Sequence, residues 1–165
     1  MALAFLLAPF LLFSAVLSVD EMYYHRKRGL PKWERVGHPI DALASAFAWA
    51  WIALNDYNPN DPTNLYVYIG LVAFACFLST KDEWVHSELC PPGEQWMHSM
   101  MFMLNPTHFF VGGFIWVCAP GVLSTPVGPW QESAQMLYLL IPIYAVSNFA
   151  VAISNFIYWH RRGDA

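Results

Sequence analysis

Charge is what this sequence has least of. Asp, Glu, Lys and Arg make up 12% of its 165 residues, against roughly 25% in soluble domains. That scarcity argues against a water-soluble globule. With no sizeable basic face and a formal charge of −4, the chain lacks the electrostatic footprint of a nucleic-acid-binding protein. Cysteine is scarce too. Cys76, Cys90 and Cys118 show no C-x-x-C spacing; two fall in apolar runs and Cys90 in a polar loop. Neither a thiolate metal site nor a disulfide framework is indicated.

Apolar residues, by contrast, reach 57%, with 8 Trp, 8 Tyr and 12 Phe and a mean hydropathy of +0.36. These values point to a single lipid-embedded domain with aromatic residues at its interfaces. The fold class expected is all-α, a five-helix membrane bundle with spans at about 2–19, 40–54, 65–80, 95–118 and 133–159. A secretory signal peptide at the N-terminus would carry its positive charge before the apolar run. Here Arg26, Lys27 and Arg28 follow it, so a retained span is the expectation.

The segment Asn55–Asn64 is made of turn formers and carries no base. All eight Lys and Arg fall in the 20–40 segment, the 81–94 segment and the C-terminus. With five spans these lie on one side, which the positive-inside rule assigns to the cytoplasm, with the N-terminus outside. The expected location is an integral membrane protein, in the inner membrane of a bacterium or the endoplasmic reticulum of a eukaryote.

The polar residues between the spans are not scattered. A carboxylate precedes a histidine by four residues four times: Glu21/His25, Glu34/His38, Asp82/His86 and Glu94/His98. Random placement of the 6 His and 12 acidic residues gives about half such a pair, and about one if they are confined to the polar segments. On a helix, i and i+4 share a face and can reach one point. The two halves are offset by 61 and 60 residues. This suggests hairpins of spans 1–2 and 3–4 related by a pseudo-twofold axis, converging four carboxylates and four imidazoles. That is the donor set of a dinuclear centre.

Carboxylate with imidazole and no thiolate suits two divalent ions, Fe first, with Zn or Mn as alternatives. Soluble di-iron bundles use Glu-x-x-His at i,i+3. Glu83 satisfies that spacing to His86, so it can replace or join Asp82. Asp20 and Asp41 are close enough in sequence to orient imidazole N–H groups as outer partners. Asn105 and His108 lie on the face of span four that carries Glu94 and His98, and Asn148 and Asn155 form a seven-residue stripe on span five. These four are candidate cavity-lining residues. For His108 the simpler role is to bond backbone freed by Pro106, and for the Asn stripe it is helix joining.

The pattern points to a membrane metal oxidoreductase or oxygenase, with a lipid, isoprenoid or quinone-like substrate reaching the centre at the cytoplasmic interface. Membrane lipid and an electron-donor protein are the partners this implies. A dinuclear zinc hydrolase is the alternative, disfavoured because four protein ligands per zinc leave no position for water. A non-enzymatic haem- or pigment-binding or assembly subunit is the third reading. Only His108 lies deep and free of an adjacent carboxylate, as tetrapyrrole ligation needs.

Overall fold

The computed structural model describes residues 1–81, 90–119 and 128–162. Six helices and no strand are found among them. They are α1 (Ala2–Arg28), α2 (Lys32–Leu54), α3 (Thr63–Thr80), α4 (Pro92–Cys118), α5 (Pro129–Tyr138) and α6 (Leu140–Arg161).

Four of these, α1, α3, α4 and α6, are long and apolar enough to cross a membrane. Their outward surfaces carry Phe5, Leu11, Phe74, Phe77, Phe110, Ile143 and Ile153, side chains that lipid solvates and water does not. The polar residues are instead inside: Asp20, His25, Glu34, Glu94, His98, Asn105 and His108 are all buried.

The sequence suggests a second span at 40–54, but the observed helix is longer and more polar. Pro31, extended at ψ 157°, starts α2 at Lys32, so Glu34, His38 and Asp41 are helical and dilute its apolar character. Its 23 residues still extend roughly 35 Å. It packs most closely against α6, with Ala44, Ala46 and Ala48 buried; such small residues let helices approach within a membrane. The segment expected at 133–159 also differs, being split at Leu139 into α5 and α6. By contrast, α4 runs through Asn105-Pro106 without interruption.

Cross-helix contacts fix the remote end. Trp116 Nε1 donates to Asn55 O at 2.7 Å and Trp51 Nε1 to Asn64 O at 3.0 Å. Asp61 accepts both the N–H and the hydroxyl of Thr63, seating the start of α3. Deeper in, Tyr68 donates to Phe109 O at 2.7 Å, joining α3 to α4. The indole of Trp49 lies against Gly112, where a Cβ would meet its ring carbons at 2.3 Å.

At the other end, Gly29 takes φ 79° and stops α1. The short turn through Leu30 and Pro31 sends α2 back alongside it. Arg35 Nε donates to Leu30 O at 2.7 Å and secures that turn. The end of α1, the starts of α2 and α4 and the end of α6 therefore meet at one end of the bundle.

Candidate metal centre

The last turns of α1 carry the first part of the site. Asp20–His25 is a π-helical segment, and its wider turn brings both i+4 and i+5 neighbours onto one imidazole. His25 Nδ1 donates to Glu21 Oε2 at 3.0 Å. Its other nitrogen, Nε2, lies 3.1 Å from Asp20 Oδ2 and 3.6 Å from Glu94 Oε1.

The N-terminal turns of α4 supply the second part. Asp20 Oδ1 lies 3.3 Å from His98 Nε2, so this carboxylate spans two imidazoles from two helices. Asp20, His25, Glu94 and His98 are all buried and each offers a donor atom within 4.8 Å of the others. A second grouping, Glu21, His25 and His38, shares His25. The His38 ring lies 4.5 Å from that of His25, centroid to centroid.

Two residues without a role in the sequence pattern complete the surroundings. Arg28 Nη2 donates to Glu94 Oε1 at 2.8 Å and to Glu34 Oε2 at 3.1 Å, holding two fully buried carboxylates. Trp159 Nε1, from the end of α6, donates to Glu21 Oε1 at 3.3 Å. Arg28 is i+3 to His25, a spacing that could have placed it on this face, but it sits within the run Arg26-Lys27-Arg28 and reads as interfacial charge. Trp159 carries no local signal at all.

The donor set fits a cation on two grounds. Asp20 Oδ1 and His25 Nε2 are buried and make no hydrogen bond among the described residues, although they face other donors and acceptors at contact distance. Buried polar atoms in that state are costly unless a further ligand satisfies them. Charge is the second ground. Asp20, Glu21, Glu34 and Glu94 converge here, and Arg28 pairs with only Glu34 and Glu94 of these. A divalent cation reduces the remaining repulsion.

The other candidate residues fall out as follows. Asp82, Glu83 and His86 lie outside the described residues, as does most of the Pro/Gly-rich link from 119 to 129. Asp41 is held by Lys81 Nζ, 2.7 Å from both carboxylate oxygens. A cavity of about 370 Å³ begins at Asp20, Glu21, His38 and His98 and runs along α4 and α6 past Asn105, Asn148 and Asn155. His108 does not line it. That ring is stacked on Phe13 at 4.2 Å, lies 5.3 Å from the Trp49 ring, and has Nδ1 3.1 Å from Leu104 O.

Cys90 sits beside this end, buried. Burial pushes its thiol up to about 12, the neighbouring Glu94 and Glu34 acting the same way and Arg28 opposing them. It is a protonated thiol at neutral pH.

What these observations establish is that the described residues are all-α, with four helices long and apolar enough to cross a membrane and a buried His/Asp/Glu group able to hold a metal. No protein-family model matches the chain, and no match is found among curated proteins or solved structures.

Proposed function

We propose that the chain is an integral-membrane metal-dependent oxidoreductase, with iron at the Asp20/His25/Glu94/His98 group and an apolar substrate in the adjoining cavity. The observation that carries this reading is the juxtaposition of four buried donors with a cavity of about 370 Å³ whose wall they share. A purely structural ion needs no such space beside it. Hard carboxylate with imidazole and no thiolate suits iron. When bound, the metal supplies one-electron and oxygen chemistry that side chains lack.

In this reading Asp20 and Glu21 exchange the roles that spacing alone suggests. Glu21 accepts from His25 Nδ1 and so fixes the tautomer that leaves the Nε2 lone pair toward Asp20 and Glu94. Trp159 anchors Glu21 in turn. Arg28 holds Glu34 and Glu94 in place without occupying the Asp20–His98 side. A dinuclear centre calls for further donors from Asp82, Glu83 and His86.

The eight bases set this end of the bundle at the cytoplasmic face, where an electron-donor protein has access. The test is purification of the full chain without affinity resin, metal analysis and an optical spectrum with and without oxygen. Bound iron with an oxygen-sensitive spectrum supports the reading; its absence refutes it.

One observation favours a second reading. Four buried protein donors are also the number that a closed structural zinc site uses. Stoichiometric zinc with no iron selects it.

A further inference from the structure

We propose that the cavity beside Asp20 and His98 takes the hydrocarbon chain of an anionic single-chain amphiphile, which enters sideways between α1 and α6 and leaves its head on Arg26 and Arg162. This names a substrate class for the centre proposed above and rests on that reading for its chemistry. The binding geometry itself involves no metal.

Two stripes of side chains face each other across the seam between these helices. On α1, Ser14, Ser18, Met22 and Arg26 follow at four-residue steps. On α6, Tyr144, Val151, Ser154, Tyr158 and Arg162 follow at steps of seven, three, four and four. Both patterns keep to one helix face.

The stripes touch at both ends. Ser14 Oγ lies 3.2 Å from Tyr144 OH. At the base-rich end, Arg26 Cζ lies 5.1 Å from the Tyr158 ring centroid, and Trp159 Nε1 reaches Glu21 at 3.3 Å. Between these contacts Ser18, Met22, Val151 and Ser154 line the cavity and are all exposed, Met22 at 61% and Val151 at 38%. The cavity therefore opens through the side of the bundle, between two helices of membrane-spanning character. An opening in that wall faces lipid, so its ligand comes from the bilayer.

Charge gathers at one edge of this window. Arg162 Cζ also lies 5.2 Å from the Tyr158 centroid, so two exposed guanidiniums share one ring. Cation–π contact holds each in place and uses none of its N–H donors. Neither pairs with a carboxylate among the described residues. Arg26 is one turn beyond Met22, and Tyr158 one turn beyond Ser154, which sets the donors beside the opening. Such forks recognise carboxylate or phosphate.

Inside, Phe13, Leu17, Ala75 and Phe102 make the wall apolar. The volume of about 370 Å³ is more than twice the roughly 150 Å³ that accommodates benzene, room for one chain. An anion is poorly placed farther in, because Asp20 and Glu21 bring carboxylates to the same cavity. The head therefore stays on the guanidiniums, and the chain takes the cavity whose wall includes the metal group.

The experiment titrates the full chain in digitonin, which has no alkyl chain to compete, with dodecyl phosphate, dodecane and inorganic phosphate. It reads the concentration that half-maximally shifts the unfolding midpoint, with metal content measured on the same sample. Combining Arg26→Gln with Arg162→Gln should weaken dodecyl phosphate about tenfold and leave dodecane within about twofold. Ser154→Phe, which fills the window, should weaken both by about tenfold or more; Ser18→Phe serves if that variant does not fold. Each comparison is of one ligand between proteins in one detergent, so partition into micelles cancels. Inorganic phosphate that binds as tightly as dodecyl phosphate, arginine variants that leave dodecyl phosphate unaffected, or window variants that bind both chains as before overturn the proposal. The expected effects in a sample that holds no metal refute the metal reading and leave this one standing.

Discussion

His25 Nε2 lies 3.1 Å from Asp20 Oδ2 although the two residues are five apart, because the backbone between them is a π turn. On an α-helix five residues differ by roughly 140° around the axis, and Asp20 would face away. The wider turn lets one imidazole meet Asp20 and Glu21 at once.

Arg28 binds two buried carboxylates. Breaking a buried ion pair by removing one partner costs about 3–5 kcal/mol, and partial exposure of this guanidinium places the expectation near the lower bound. Arg28→Met should lower the unfolding midpoint of the metal-free protein. Arg28→Lys should recover little of it, since an ammonium cannot reproduce the fork that serves Glu34 and Glu94 together. Full rescue by lysine would mean that charge alone matters here.

Gly112 is a packing requirement. A Cβ there meets the Trp49 ring at 2.3 Å, whereas one at Gly70 meets nothing within 4 Å. Trp49 is itself fully buried and cannot yield easily. Gly112→Ala should cost about 1–3 kcal/mol, and Gly70→Ala should be neutral or slightly favourable, by thermal unfolding in one detergent. Equal effects would contradict the α2–α4 contact.

The Cys90 thiol is raised from 9.0 to about 12 by burial first and then by Glu94 and Glu34. At pH 8 its thiolate fraction is roughly a thousandfold below that of an ordinary thiol, so maleimide labelling of the folded protein should be slow and accelerate on denaturation. The sign for stability is also fixed. The unfolded chain loses this proton above about pH 9 while the folded one keeps it, so the contribution falls as pH rises from 9 toward 12. Rapid labelling at neutral pH would contradict this environment.

Much of the architecture is legible in the chain. Long apolar runs announce α1, α3, α4 and α6, whose length and composition suit a membrane crossing. α2 is read too short, since Glu34, His38 and Asp41 look like loop polarity until Pro31 and the turn at Gly29 show where the helix starts. The spacing picks out His25, Glu94 and His98, which lie together in the structure, but α-helical periodicity offers Asp20 only an outer role, its i+5 relation to His25 existing only on a π turn. Arg28 was obscured by its basic neighbours, and Trp159 reaches Glu21 from 138 residues away. No local pattern encodes such a contact.

The most direct measurement is the metal-to-chain ratio in protein purified without affinity resin, for wild type, Asp20→Asn and Glu21→Gln. We predict at least one bound metal per chain in wild type, nearly none in Asp20→Asn, and retained metal with affinity lowered roughly 10- to 100-fold in Glu21→Gln. Metal content that is unchanged by Asp20→Asn, or a wild type that binds none, would contradict the proposed centre.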